Sequence, residues 1–407
     1  MTEPARTTTA DPRASRASRA LHGASDVLFT FSYETWTDAQ RRGMMRPPDR
    51  ILATLLASPE VRRLLVANPW RSAPTALVRR VLARDAPFPS DDTRRLTSPL
   101  RVRRSDPMGV PAISRSYAGY SSALRRASSG WLTDPAVLTT NPLVAGFGDF
   151  DWAGRVTYFG RDDWSSSPAR AEYWPAFREA YRRIADSGIG VAAVSQQIID
   201  RIGPRGPHAV VPNGVEPAEW LGARPAPPAW FAAIPGPRAV YVGTLDSRLD
   251  VDGIAALAAA RPDLRIVLLG PVPSASYVDG LTRMSNVHIH PGVGRAELAA
   301  TLRNAELTLV AHRRTPLTEA MSPLKVYEYL AAGSPVISID LPPVRGLGDR
   351  VILVDSVTDF ADVVDRALEL GPADEPDRQR FIAENSWSAR HTTVMAIALR
   401  GANVSSA

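Results

Sequence analysis

The chain has 407 residues, a net charge of +6 and no cysteine. That length allows two or three domains with cores of their own, and the lack of thiols excludes disulfides, zinc–thiolate sites, iron–sulfur clusters and cysteine nucleophiles. No apolar run approaches the roughly 18 residues of a membrane span, and the N-terminus has no apolar leader core, so a cytoplasmic protein is expected.

Residues 1–24 are rich in Thr, Ala and Arg without apolar period and read as a disordered tail. Ordered structure is expected from Asp26, with a strand at 26–32 and a helix over about 38–57 that Pro47-Pro48 interrupts. A second strand follows at 62–69. The Arg- and Ser-rich stretch 70–130 gives no clear period. Strands return at 136–140, 155–160, 190–195 and 208–214, with an aromatic helix near 168–186. Residues 215–237 carry many prolines and read as a linker.

A second series runs through strands at 239–244, 265–270, 286–290, 307–311, 335–339 and 351–354. Helices near 251–260, 276–283, 295–304 and 323–332 separate them, and the last two lie near 357–370 and 377–399. Continuous apolar strands alternating with helices imply parallel sheets covered on both faces. The fold class is therefore α/β, with two doubly wound Rossmann-like domains facing each other. The expected boundaries are 25–214 and 215–376, with 377–407 returning to brace the first domain through Trp387.

Of the 48 basic residues only Lys325 is a lysine. It lies in Ser322-Pro323-Leu324-Lys325-Val326-Tyr327-Glu328-Tyr329-Leu330-Ala331-Ala332-Gly333. Ser322 suits an N-cap, Pro323 the first helical position and Gly333 the stop. The unpaired N–H groups of such a helix start seat a phosphate. A cation in the first turn opposes the helix dipole, and a bound anion would relieve that conflict. Glu328 shares a face with Lys325 and offers its carboxylate to a ribose diol. The competing reading is a solvated Lys–Glu surface pair.

With Pro335-Val336 behind it, this run resembles the donor-binding motif of GT-B fold glycosyltransferases. It is most similar to the GT4-like branch that builds bacterial envelope and capsule polysaccharides, the teichuronic acid type included. Val211-Pro212-Asn213-Gly214-Val215 resembles the hinge motif of that family. Tyr241-Val242-Gly243-Thr244-Leu245 resembles its first glycine loop, and His290-Pro291-Gly292 with Arg295-Ala296-Glu297-Leu298 its base-side loop. The resemblance implies that Glu328 holds the ribose of a nucleotide sugar, that Lys325 meets the diphosphate during catalysis, and that Gly243 and Thr244 let the backbone approach it. Ser322 and Leu324, at the helix start, belong to the same donor site.

Ala320 stands where many members carry a second acid, and Thr244 and Leu249 stand where many carry cations. The clamp is then completed by Arg248 or by Arg313 and Arg314. No cofactor is implied, because the nucleotide-diphosphate sugar enters as substrate. No metal is expected either: His288 and His290 have no carboxylates near them, and Asp250 reads as an N-cap rather than part of a metal motif.

On the acceptor side, Asp163 is the candidate base, with Asp162 beside it. Tyr33, Glu34 and Trp36 follow the first strand and are candidates to line the cleft. Ser195 reads as a helix cap. The arginines between 62 and 126 suit an anionic lipid-linked acceptor or the inner membrane surface, or equally a solvated face. Nucleic acid is not an expected partner. The function expected is sugar transfer to a sugar- or lipid-linked acceptor hydroxyl, metal-independent and retaining. A non-catalytic scaffold and a sugar-nucleotide epimerase are the alternatives.

Overall fold

A computed structural model describes residues 24–73, 86–102 and 107–402. The tail expected over 1–24 lies outside these residues save for Ala24, as do parts of the arginine-rich stretch.

The N-terminal sheet is parallel, in the order β4-β2-β1-β6-β7-β8-β9. Its strands are β1 (Ser25–Thr30), β2 (Val61–Ala67), β4 (Arg94–Thr97), β6 (Ala136–Thr139), β7 (Arg155–Gly160), β8 (Gly190–Ala193) and β9 (His208–Val210). The two short strands β3 (Arg71–Ser72) and β5 (Leu100–Arg101) pair separately. The C-terminal sheet, also parallel, runs β12-β11-β10-β13-β14-β15. It comprises β10 (Arg238–Val242), β11 (Arg265–Leu269), β12 (Val287–His290), β13 (Leu307–Val310), β14 (Val336–Ile339) and β15 (Val351–Val354). In both sheets the order reverses beside the first strand, at β1/β6 and at β10/β13. A doubly wound sheet leaves a crevice at that switch point.

Each sheet has its own core. Val27, Phe29, Leu138 and Val191 are buried in the first, and Val240, Leu268, Leu309 and Ile337 in the second. Val394, Met395, Ile397 and Leu399, from the end of the chain, belong to the N-terminal core. Thr54 and His391 share a hydrogen bond of 2.6 Å where the Trp387–Met395 helix meets the Pro47–Ala57 helix. The chain crosses between domains twice, and the crossings touch: Val215 N–H donates to Asn385 O (2.9 Å) and Trp387 N–H to Val215 O (3.0 Å). A Cβ on Gly214 would stand 2.8 Å from Asn385 O, so this crossing requires glycine.

Several expectations change. The single helix over 38–57 is two, Trp36–Arg41 and Pro47–Ala57, because Gly43 and Met44 turn through positive φ and Pro47 starts the second. The aromatic segment is a 3-10 turn at Pro168–Tyr173 followed by an α-helix at Trp174–Ser187. Residues 276–283 likewise split, into Ala275–Tyr277 and Asp279–Thr282. A 19-residue helix, Val110–Ser128, occupies the stretch that gave no clear period. The linker contains two short helices, Pro217–Trp220 and Ala229–Ala232. Among the described residues no helix is long and apolar enough to cross a membrane.

Candidate active site

A cleft of about 460 Å³ opens between the domains at the C-terminal switch point. Gly243, Thr244 and Arg248 after β10, His312 after β13, and Pro323, Leu324, Lys325 and Glu328 line its C-terminal wall. Arg46, Arg161 and Asp162 line the opposite wall.

The loop after β10 is shaped by close backbone approach. Gly243 has φ +148 and Gly270 has φ +154, and a Cβ on Gly270 would come within 2.0 Å of Gly243 O. A Cβ on Gly243 would stand 3.0 Å from Lys325 Nζ, so glycine there leaves room for the ammonium.

The helix carrying Lys325 runs Leu324–Ala332 and stops at Gly333 in the left-handed conformation. The expected cap is corrected: Pro323, not Ser322, is the N-cap residue, and no side chain caps the helix. Ser322 instead locks the hinge. Its Oγ accepts from Asn213 N–H (3.3 Å), and its carbonyl accepts from Asn213 Nδ2 (2.6 Å). Leu324 and Lys325 of the first turn line the cleft, and no side chain caps their end of the helix, the condition that favours an anion.

Lys325 is half-buried, with its ammonium 3.8 Å from the centroid of the Tyr241 ring. Burial, then the Arg248 guanidinium, hold its pKa well below that of an ordinary lysine. The carboxylates that act on it are engaged elsewhere. Asp246 takes a bidentate pair from Arg248 (2.9 and 2.7 Å), and Glu328 pairs with Arg295 (2.7 Å). Lys325 thus has no ion-pair partner among the described residues, and an anion in the cleft would supply one.

Glu328 is 5% exposed, and burial raises its pKa against the opposing pull of Arg295. Arg295 also binds Glu219, and Glu219 binds Arg50 of the N-terminal domain (2.7 Å). This chain of charges fixes Glu328 and ties the C-terminal wall of the cleft to the other domain. Arg295 opens the Arg295-Ala296-Glu297-Leu298 run, and no sequence spacing links it to Glu328.

The structure brings Gly243, Thr244, Arg248, Ser322, Leu324, Lys325 and Glu328 to one cleft. It does not bring Arg313 there: that side chain pairs with Asp252 (2.9 Å) and lies 3.8 Å from Asp250. Asp250 is the N-cap of Val251–Ala260. His290 stacks on Trp230, ring centroids 3.8 Å apart. Among the described residues no group of three His, Cys, Asp or Glu stands ready for a metal ion.

The acceptor-side candidates separate. Asp162 lines the cleft, and burial raises its pKa although Arg161 opposes the rise. Asp163 is 1% exposed and caps the turn at Trp164–Ser166, accepting from Ser165 N–H (3.0 Å) and Oγ (2.7 Å). Its carboxylate therefore lies inside the domain and not on the cleft wall. Glu34 is clamped by Arg46 (2.7 Å) and Arg161 (3.1 Å). Burial alone would raise its pKa, but these guanidiniums bring it to about 2. Trp36 is buried against Phe88 and donates to Pro87 O, away from the cleft. Tyr33 lines a second cavity inside the N-terminal domain. No sequence spacing marks Arg46 or Arg161 as site residues; Arg46 precedes the Pro47-Pro48 pair and Arg161 the Asp162-Asp163 pair. Ser195 caps its helix, and its Oγ also donates to Ala320 O (2.5 Å) across the domain boundary.

Residues 252–396 match the family described as Glycosyl transferase-like. Over 104 residues the chain is 28% identical to the Bacillus subtilis (strain 168) protein named teichuronic acid biosynthesis glycosyltransferase TuaH, a match covering 25% of this chain and 26% of that one. The chain thus spans about a quarter of the length of the curated relative it matches. Solved structures agree over nearly the whole length. The α,α-trehalose 6-phosphate synthase of Burkholderia multivorans superposes with a TM-score of 0.64 at 15% identity, covering 92% of this chain and 98% of its own. The sucrose-phosphate synthase of Thermosynechococcus elongatus gives 0.64 at 14%, covering 91% and 98%. An E. coli trehalose-6-phosphate protein, solved with UDP-2-fluoro glucose, gives 0.64 at 14%, covering 92% and 99%. The chain therefore has the GT-B fold, and its residues 252–396 are similar to the glycosyl transferase-like family.

Proposed function

We propose that this protein is a glycosyltransferase that moves a sugar from a nucleotide-diphosphate donor to an acceptor hydroxyl in envelope polysaccharide or glycolipid synthesis. One observation carries the reading: the uncapped start of Leu324–Ala332 and the unpaired Lys325 ammonium face the same interdomain cleft. Breaking the sugar–phosphate bond leaves charge on the diphosphate. A helix start, Lys325 and Arg248 can stabilise that charge without a metal. Glu328, held by Arg295, keeps Oε2 for the ribose hydroxyls, since only Oε1 is bonded to Arg295. Gly243 and Thr244 admit the diphosphate to the backbone.

Asp162 is the cleft carboxylate available to orient the acceptor hydroxyl, and burial favours its holding a proton. In a retaining reaction the leaving phosphate takes the acceptor proton, and the protein supplies orientation and electrostatics. Asp163 acts in this reading as a cap and Arg313 as a surface ion pair. The test is calorimetric titration with UDP, GDP and ADP, followed by a donor-hydrolysis assay. At least one diphosphate should bind, and the matching nucleotide sugar should be hydrolysed slowly without acceptor. No binding of any of the three would overturn the reading.

A further inference from the structure

One side chain of the cleft wall has no part in the reaction described above. His312 follows β13 at the β10/β13 switch point and lines the cleft with Gly243, Arg248 and Lys325. The backbone on both sides of it is tied down. Asp250 N–H donates to Ala311 O (2.9 Å), and Arg313 N–H donates to Arg248 O (2.8 Å). His312 is therefore held against the loop that carries Arg248. Its ring centroid lies 6.2 Å from that of Tyr241, and Lys325 Nζ lies 3.8 Å from the same Tyr241 centroid. One aromatic ring thus neighbours both His312 and Lys325.

His312 is 2% exposed, and neither Nδ1 nor Nε2 has a hydrogen-bond partner among the described residues. A neutral imidazole carries one N–H donor and one acceptor nitrogen. Burying both unpaired is destabilising, and such a group in a native fold calls for a ligand, a water or an ion. His391 gives the contrast: equally buried, it shares a hydrogen bond with Thr54 through Nδ1. Packing alone would be served better by Phe or Leu, which bury no polar atom. Burial, then Lys325 and Arg248, hold the pKa of His312 well below that of an ordinary histidine. The ring is therefore a neutral N–H donor beside two cations. The carboxylates nearby are already held, Asp246 by Arg248 and Glu328 by Arg295. A group that enters this corner must accept hydrogen bonds and carry negative charge, and a phosphate oxygen does both. A neutral donor adds a directed bond there without the like-charge repulsion that a third cation would bring.

We propose that the His312 N–H donates to the diphosphate of the donor and completes, with Lys325 and Arg248, the clamp at the switch point. This rests on the glycosyltransferase reading for the identity of the ligand; the anion contact rests on the cleft itself.

The experiment is calorimetry of the full chain with inorganic pyrophosphate and with UDP, GDP and ADP, in wild type, His312→Phe, His312→Leu and His312→Gln. Phe keeps the ring, Leu is smaller and avoids any clash, and both lack a donor; Gln restores one. In the Phe and Leu variants, affinity for pyrophosphate and for the nucleoside diphosphate that wild type binds should fall at least fivefold. Gln should stay within twofold of wild type. Without ligand, the apolar variants should melt at or above the wild-type temperature, because they remove unpaired buried polar atoms. A packing residue would show the reverse, a lower melting temperature with affinity kept, and that result overturns the proposal. Unchanged affinity in either apolar variant, or an equal loss in Gln, also overturns it. So does a loss confined to nucleotide-sugar hydrolysis, which would move the contact to the sugar. Pyrophosphate binding that needs His312, with no nucleoside diphosphate bound, keeps the contact and removes the glycosyltransferase reading. Nucleoside diphosphate binding indifferent to His312 keeps that reading and removes the contact.

Discussion

The two walls of the cleft use charge differently. On the C-terminal wall the helix start has no side-chain cap, and the one lysine has no ion-pair partner among the described residues. On the N-terminal wall Arg46, Glu34, Arg161 and Asp162 form a continuous chain of pairs. A wall with unsatisfied charge is poised for a ligand, whereas a wall whose charges satisfy one another holds its own shape. Substitutions on the first wall should therefore be read in binding, and substitutions on the second in stability.

The largest effect should come from Lys325→Ala. Nucleoside diphosphate affinity should fall at least tenfold, about 1.4 kcal/mol, with the melting temperature unchanged; calorimetry and thermal unfolding on the same sample decide it, and unaltered affinity would break the contrast. Glu328→Ala should weaken binding by a similar factor while Arg295 keeps its pair with Glu219. Next is proton linkage. The free ammonium of Lys325 has a depressed pKa, and a bound diphosphate raises it. Binding should take up a proton and weaken as pH rises above the free-protein value, a signal seen by titrating in buffers of different ionisation enthalpy and lost in Lys325→Ala.

Effects on the N-terminal wall should be smaller and of another kind. Asp163→Asn should cost about 0.5–2 kcal/mol of stability, the usual range for a lost cap, with diphosphate affinity untouched. A loss of affinity in that variant would return Asp163 to the reaction. Glu34 has its pKa lowered from 4.5 to about 2, so the stability it contributes is present above 4.5 and lost as pH falls toward 2. Glu34→Gln should flatten the acid limb of the unfolding curve over that interval.

Regular crossovers made the C-terminal half easy to read. The 251–260 helix and the strand at 351–354 fall where the apolar pattern sets them. In the N-terminal half Val110–Ser128 went unrecognised because Ser and Arg dilute its face. The signal was nonetheless present: Ile113, Tyr117, Tyr120 and Leu124 recur at helical spacing, and three of the four are fully buried. β4, an edge strand of sequence RRLT, carries no apolar run at all. Trp36 and Asp163 looked like site residues because they follow strands, yet one is core and the other a cap.

From its sequence alone this protein declared two doubly wound domains, a proline-rich crossing and a lysine–glutamate helix opening after a strand, because periodicity and helix-end chemistry are local. Which carboxylate faces the cleft and which arginine grips Glu328 were decided only by the packed chain. Those relations join residues tens to hundreds of positions apart, and nothing in local propensity links them.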